Sequence, residues 1–265
     1  SARRIAKGDL SARAAADDHA LGEAALLVDD FNDMAANLEK ASEGALRWNA
    51  LIAHELRTPV TILRGRLQGL ADGVFSPTPS LLQSLLKQVE ALSRLVEDLR
   101  TVSLSDAGHL DLVMRDVELA AELEPVLQLL GPALEEAGFS LSVDLAPGRC
   151  TVDPTRINQA LMALLHNALR HAAPGQIHVA LAMTDNEAEI VVADQGPGLP
   201  PDFAAQAFLP FRRHVAEDNP VRGSGLGLAV VRAVAHAHGG RARYENRDGG
   251  ACFRVRFRRR PSPER

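Results

Sequence analysis

A chain of 265 residues has room for more than one domain, and its net charge of -5 lacks the basic excess that would point to nucleic acid as a direct partner. Its two cysteines, Cys150 and Cys252, are too far apart for a metal knuckle; both flank apolar runs and suit buried free thiols in a reducing compartment. No run reaches the roughly 18 apolar residues of a membrane span and no signal peptide is evident, while the abrupt opening at Ser1, inside a helical pattern, is what a fragment of a longer protein would give.

Residues 1–45 are alanine-rich and polar and offer no core of their own. Gly8-Asp9-Leu10-Ser11 interrupts one short helix. A longer helical pattern follows with Leu26, Leu27, Phe31, Met34 and Leu38; the last three are spaced three and four apart, so this part is expected to pack on a partner chain. Residues 46–104 read as two helices, at about 46–70 and 80–104, joined by a turn within 72–79 that is rich in Gly and Pro. Along the second, Leu82, Leu85, Val89, Leu92, Val96 and Leu99 alternate three and four apart as a coiled-coil seam. One hairpin buries only one side well. Two copies form a four-helix bundle, which predicts a homodimer; the alternative is a bundle within one chain that takes residues 1–45 as its third helix.

Residues 105–260 read as an α/β domain. Strands are expected at 139–145, 177–181, 189–193, 241–245 and 252–257, and helices at 119–137, 154–171 and 226–238. Thr184-Asp185-Asn186-Glu187 can turn a hairpin. Antiparallel pairing argues against a doubly wound dinucleotide fold and favours helices on one face of a mixed sheet. Arg254, Arg256 and Arg258 alternate with Phe253, Val255 and Phe257, as on the wet face of a terminal strand. Residues 261–265 are expected to be a frayed tail.

Three segments carry chemistry. In the first helix of 46–104, His54, Glu55, Arg57 and Thr58 precede Pro59. Thr58 lies one turn from His54 on the same face. One unprotonated imidazole nitrogen can attack phosphorus while Glu55 accepts the proton of the other, and Arg57 can meet phosphate oxygens. Pro59 cannot donate to the Glu55 carbonyl, so a local kink is expected. Taken alone, His54 reads more readily as one of the many helical histidines with no chemical task.

The second segment is a helix in which Asn167 interrupts an apolar face of Leu161, Leu164, Leu165 and Ala168; its amide oxygen can bind a hard cation or simply hydrogen-bond at the surface. The third is split. Asp194 ends the run Ile190-Val191-Val192-Ala193 and can accept the exocyclic amine of adenine, with Gly196 and Gly198 letting backbone approach a flat base. Gly223, Gly225 and Gly227 precede a helix and can direct N–H groups at phosphates. No Gly-Lys-Ser/Thr follows, so this is not a P-loop. The long stretch between the two glycine groups holds Phe208, Phe211, Arg212 and Arg213 and reads as a lid. Arg212 or Arg213 would reach the γ-phosphate; Leu199, Phe208 and Phe211 would hinge or pin the lid.

Taken in order, these residues resemble a bacterial sensor histidine kinase of two-component signalling. His54–Pro59 looks like its phosphoacceptor box, Asn167 like the metal-binding asparagine of its N box, Asp194, Gly196 and Gly198 like its adenine-side box, Phe208 and Phe211 like its lid phenylalanines, and Gly223, Gly225 and Gly227 like its second glycine box. Arg170, Ser224, Leu226 and Leu228 fall in the same nucleotide-binding set. The resemblance covers roughly 46–258, and residues 3–45 look like the second half of a HAMP linker. It implies a phosphotransfer and dimerisation domain over 46–104, an ATP-binding domain of the histidine-kinase/GHKL type over 105–260, and ATP with Mg2+. It also implies a response regulator as partner. The parent would be a bacterial inner-membrane protein whose cytoplasmic portion this is, attached through segments ahead of Ser1. Two departures stand out: Ala163 replaces a frequent second asparagine, and His171 replaces a frequent tyrosine and can touch the phosphates. A GHKL-type ATPase without histidine phosphorylation and a non-catalytic dimeric scaffold are the rival expectations.

Overall fold

In the computed structural model, which describes residues 1–14, 23–213, 223–247 and 250–259, the chain opens on a single helical turn, α1 (Ala2–Ile5). Gly8, at φ 94°, ends it, and the Asp9 carboxylate receives Arg4 Nε at 2.8 Å and Nη2 at 2.6 Å. The expected interruption at Gly8–Ser11 is therefore a helix stop with its own ion pair. The strand of chain beyond it lies along the next helix: Asn32 accepts the Ala14 N–H through Oδ1 and donates to the Ala14 carbonyl through Nδ2, at 2.8 and 3.0 Å.

That next helix, α2, runs without a break from Glu23 to Ala71. The two separate helices read from the sequence are one. Nothing between them stops a helix: Gly44 alone costs about 1 kcal/mol relative to alanine, which the surrounding alanines and leucines override. At ~1.5 Å per residue, α2 extends over roughly 70 Å. Residues 23–45 accordingly continue the hairpin helix and cannot fold back as a third one, which removes the single-chain bundle. In the turn, Gly73 takes φ 72°, and the Phe75 ring packs so closely on Gly69 that no side chain fits there. The return helix, α3 (Pro79–Asp106), starts with Thr78 Oγ1 accepting the Leu81 N–H at 3.3 Å. Arg66 Nη1 donates to Ser84 Oγ across the hairpin. Leu85 is buried, yet Leu46, Leu51, Val60, Leu67, Leu82 and Leu86 stay exposed. Among the described residues no helix is long and apolar enough to cross a membrane.

Two compact units, residues 1–88 and 89–265, divide the chain within α3. The C-terminal half of α3 is tied into the second unit by side chains. Thr101, fully buried, donates to the Glu97 carbonyl at 2.9 Å and lies 3.3 Å from Gln159 Oε1, while Arg156 Nη1 reaches Glu97 Oε1 at 2.7 Å.

The second unit builds a small antiparallel pair, β1 (Arg115–Glu118) with β3 (Arg149–Val152), beside a five-stranded sheet. The sheet comprises β2 (Ser140–Leu145), β4 (Gln176–Met183), β5 (Glu187–Ala193), β6 (Arg241–Arg247) and β7 (Gly250–Arg258), in the order β2-β4-β5-β7-β6. Only β2 and β4 are parallel; the expected β4–β5 hairpin is present, with Thr184 N–H donating to the Glu187 carbonyl at 2.8 Å. Three helices, α4 (Leu119–Glu136), α5 (Pro154–His171) and α7 (Gly227–Ala237), supply the other layer; α6 (Pro201–Ala204) is a single turn. Ile177, Val179, Ile190, Val192, Phe253, Val255 and Phe257 of the sheet and Leu123, Leu134, Ile157, Leu161, Val230 and Val234 of the helices are buried between the layers. The opposite face is the wet one, where Arg254 and Arg256 each meet Glu189 at 3.0 Å. Both cysteines are buried and free, and burial pushes the Cys150 thiol up to about 11.

Local capping explains the α5 boundaries. Asp153 Oδ1 accepts the Arg156 N–H at 3.2 Å, and Pro154 takes the first helical position. At its other end α7 closes on Gly239, at φ 70°, with the Gly239 N–H donating to His236 and the Gly240 N–H to Ala235. A Cβ on Gly240 would overlap the carbonyl oxygen of Arg256 in β7. Gly240→Ala is expected to cost roughly 2–3 kcal/mol by overpacking against rigid backbone. Thermal unfolding should show a midpoint several degrees lower; an unchanged midpoint would mean that β7 yields freely.

Candidate active site

The expected phosphoacceptor segment lies on α2. His54 is exposed, Glu55 half-buried, and Arg57 and Thr58 exposed, so one turn of helix presents the imidazole to solvent with a carboxylate beside it. Pro59 sits inside α2, which continues past it to Ala71. Exposure leaves the imidazole open to an incoming phosphoryl group, as nucleophilic attack requires.

The other predicted residues gather around the C-terminal half of α5, within the second unit. Asn167 is half-buried between the fully buried Leu164 and Ala168. The glycine loop and the start of α7 rest against one side of this helix: a Cβ on Gly227 would stand 3.8 Å from Ala163 Cβ, and one on Gly223 would stand 3.2 Å from Arg170 Nη1. Ala163, one turn before Asn167, thus takes up the α7 contact, and the methyl group leaves room for Gly227. Leu226 is buried and its N–H lies 3.3 Å from Ser224 Oγ; Leu228 is half-buried in the first turn of α7. Unpaired N–H groups at that helix start are suited to an anion.

Phe211 donates its N–H to the Gly225 carbonyl at 2.9 Å and has φ 60°, the single positive φ of a non-glycine residue among those described. Gly225, at φ 68°, allows no side chain: a Cβ there would come within 2.9 Å of the Arg212 carbonyl oxygen. The start of the expected lid is therefore bonded to the glycine loop, with Arg212 and Arg213 exposed beside it. Phe208 is anchored instead to the sheet, edge-on to Phe253 with ring centroids 6.4 Å apart. Residues 214–222, the rest of the expected lid, lie outside the described residues.

Near the C-terminal end of α5, Asp194 follows β5. Its N–H donates to the Ala251 carbonyl at 2.9 Å, and its Oδ1 accepts the Gly196 N–H at 2.8 Å. Burial raises the carboxyl above the ordinary aspartate range, against the pull of the Gly196 and Ala251 N–H groups that donate to it and of the nearby His171. Gly196 passes so close to the end of α5 that a Cβ would stand 2.9 Å from Ala172 Cα. Gly198, at φ 71°, and Leu199 lead away from the loop. The sequence did not point to the residues that receive them: Asn246 and Tyr244 of β6, whose polar atoms a Cβ on Gly198 would meet at 2.9 and 3.0 Å. An inward tyrosine on a strand reads as core, and no spacing rule links it to a loop so far away in the chain.

The fold thus brings residues 223–228, with Phe211 bonded to Gly225, against the 163–170 stretch of α5 that includes Asn167, and brings the loop after Asp194 against the C-terminal end of the same helix at Ala172, while Phe208 is pinned on the sheet. Among the described residues no cluster of three or more His, Cys, Asp or Glu is placed to hold a metal. A single amide oxygen, that of Asn167, fits a hard cation that takes its remaining ligands from phosphate and water.

Comparison with known proteins places these two regions. Residues 46–108 match the His Kinase A (phospho-acceptor) domain, and residues 152–261 match the histidine kinase-, DNA gyrase B- and HSP90-like ATPase. The chain is 35% identical to the signal transduction histidine-protein kinase BaeS of Escherichia coli, covering 90% of this chain and 51% of that protein. It is 32% identical to the histidine-protein kinase/phosphatase MprB of Mycolicibacterium vanbaalenii, covering 91% and 52% respectively. The chain spans about half the length of these curated relatives. Among solved structures, the histidine kinase AdeS of Acinetobacter baumannii is 38% identical with a TM-score of 0.66, over 78% of this chain and 98% of that one. With a phosphoacceptor helix followed by a GHKL-like ATP-binding fold, the chain belongs to the bacterial sensor histidine kinases.

Proposed function

We propose that the chain transfers the γ-phosphoryl group of ATP to His54 and passes it on to an aspartate of a response regulator receiver domain. The observation that carries this reading is that an exposed imidazole with a neighbouring carboxylate on α2 occurs in the same chain as a glycine-lined cradle around Asn167. Asp194 would accept the adenine amine, and Gly196 and Gly198 would admit the base. The start of α7 and its glycine loop would take the phosphates, with Arg170, His171, Arg212 or Arg213 adding positive charge. Magnesium held by Asn167 and phosphate oxygens would screen the charge of the triphosphate.

In the transfer, one His54 nitrogen forms a bond to the γ-phosphorus as the bond from phosphorus to the bridging oxygen breaks, releasing ADP. Glu55 takes the proton from the other ring nitrogen, and Arg57 attracts the equatorial oxygens. The chemistry would run in a homodimer, supported by the apolar side chains that a single hairpin leaves exposed along α2 and α3. The parent protein would add a sensor and membrane helices ahead of a HAMP segment ending within residues 3–45, leaving this portion in the cytoplasm.

The direct test incubates the chain with magnesium and γ-labelled ATP. Base-stable, acid-labile phosphate that mass spectrometry maps to His54 is expected. Absence of label from protein shown by calorimetry to be loaded with nucleotide would overturn the assignment.

Thr58, one turn from His54 and exposed, can orient a water towards a phosphorylated regulator, an activity in keeping with the kinase/phosphatase name of the MprB relative. Thr58→Ala is expected to leave the autophosphorylation rate within about twofold while lengthening the half-life of regulator phosphate roughly tenfold. An unchanged half-life rejects that role.

A further inference from the structure

The loop from Asp194 to Leu199 is held at both ends, by different means. Its entrance is fixed by backbone, through the Asp194 N–H on the Ala251 carbonyl, and by Asp194 Oδ1, which accepts Gly196 N–H at 2.8 Å. Its exit is fixed by a side chain: the Leu199 N–H donates to Tyr244 Oη at 2.6 Å. Tyr244 is the chain's one tyrosine. It lies on β6, the edge strand of the sheet, with its ring 5.3 Å from that of Phe253 at an interplanar angle of 51°. Phe253 is also the ring on which Phe208 docks edge-on. One aromatic row therefore joins the loop exit, the sheet core and the start of the lid segment.

Gly198 makes the contact consequential. Its φ of 71° turns the chain immediately before Leu199, and the space where its side chain would be is filled by Tyr244 Oη and Asn246 Nδ2. If the Leu199 amide were released, Gly198 would regain the broad freedom that glycine has in the unfolded chain. The path of backbone next to Asp194 would loosen with it.

We infer that Tyr244 is a positioning residue for the adenine loop: its hydroxyl holds the Leu199 amide and so keeps Gly198 in the turn that shapes the base site. This rests on the reading that Asp194–Gly198 receives adenine. Tyr244 touches neither the phosphates nor His54 in this role, so it acts on nucleotide binding and not on the transfer step. The ring and its packing on Phe253 are separable from the hydroxyl, and Tyr244→Phe removes the hydroxyl alone.

Three measurements on the full chain test it. In nucleotide-free protein, amide hydrogen exchange at Leu199 is expected to speed up about tenfold in Tyr244→Phe, with the β7 amides unchanged. In the kinase assay, KM for ATP is expected to rise about three- to tenfold while kcat stays within twofold, and ADP affinity by calorimetry should fall in parallel. Equal Leu199 exchange in the two proteins overturns the inference. So does faster exchange with unaltered ADP affinity, which would reduce the bond to a local structural one. If wild-type protein binds no ADP, the adenine reading itself fails, and the exchange result shows separately whether the phenol holds the loop.

Discussion

Replacing His54 with glutamine is expected to abolish acid-labile protein phosphate while ADP binding stays within about twofold of wild type. The side chain is exposed on α2, glutamine is a good helix former, and its amide is not a nucleophile towards phosphorus. No packing is lost, so a falling signal reports the reaction and not the fold. A loss of roughly a thousandfold or more in the phosphorylation rate is expected, because no neighbouring group on that turn can take over: Glu55 is a poor acceptor whose product would be a mixed anhydride, and a guanidinium such as that of Arg57 is a hydrogen-bond donor and not a nucleophile. The assay also separates the rivals. A GHKL ATPase that needs no histidine would release inorganic phosphate from ATP at the same rate in both proteins. Acid-stable label in the variant would mean that a different side chain is the acceptor. A scaffold would bind no nucleotide in either.

What the sequence made legible follows from how local each signal is. The 154–171 helix could be read to the residue because its stop and start signals are adjacent in sequence: Asp153 caps it, Pro154 opens it, and a Pro-Gly pair follows. The five strands of the main sheet were visible because their apolar positions alternate or run together. The β1–β3 pair was not, since four residues such as Arg115-Asp116-Val117-Glu118 are too few to establish a period. The helix break read between 23–45 and 46–70 is absent, because a change in composition resembles the end of a helix even when nothing breaks it. Motif glycines marked the loops of the site, and the structure explains them through neighbours remote in the chain: Gly196 faces Ala172, and Gly225 faces the Arg212 carbonyl. Tyr244 and Ala251 hold the same loop, yet neither belongs to a recognisable spacing. A contact joining the loop after β5 to the strands β6 and β7 is created by topology, which only the folded sheet displays.

Asn167→Asp should weaken binding of magnesium–nucleotide by about a hundredfold and leave the dimer intact. The exchange is isosteric, so its effect comes from charge and hydrogen-bonding capacity. The amide lies on the helix flank between buried Leu164 and Ala168, close to the glycine loop and to the start of α7. As a neutral ligand it would offer an oxygen to a hard cation and an N–H2 group to a phosphate oxygen. A carboxylate keeps an oxygen for the cation but loses both donors and sets a negative charge against the triphosphate in a partly desolvated site. The added charge favours the cation but repels the phosphates, which also lose both donors; phosphate carries most of the ligand's charge, so repulsion wins. Calorimetry with a non-hydrolysable ATP analogue, with and without magnesium, measures the loss. Light scattering on the same samples measures the dimer. Because Asn167 lies in the second compact unit, whereas the exposed seam of α2 lies in the first, dissociation of the dimer would mean that the residue supports the fold. Undiminished analogue affinity in a magnesium buffer would remove Asn167 from the nucleotide site altogether.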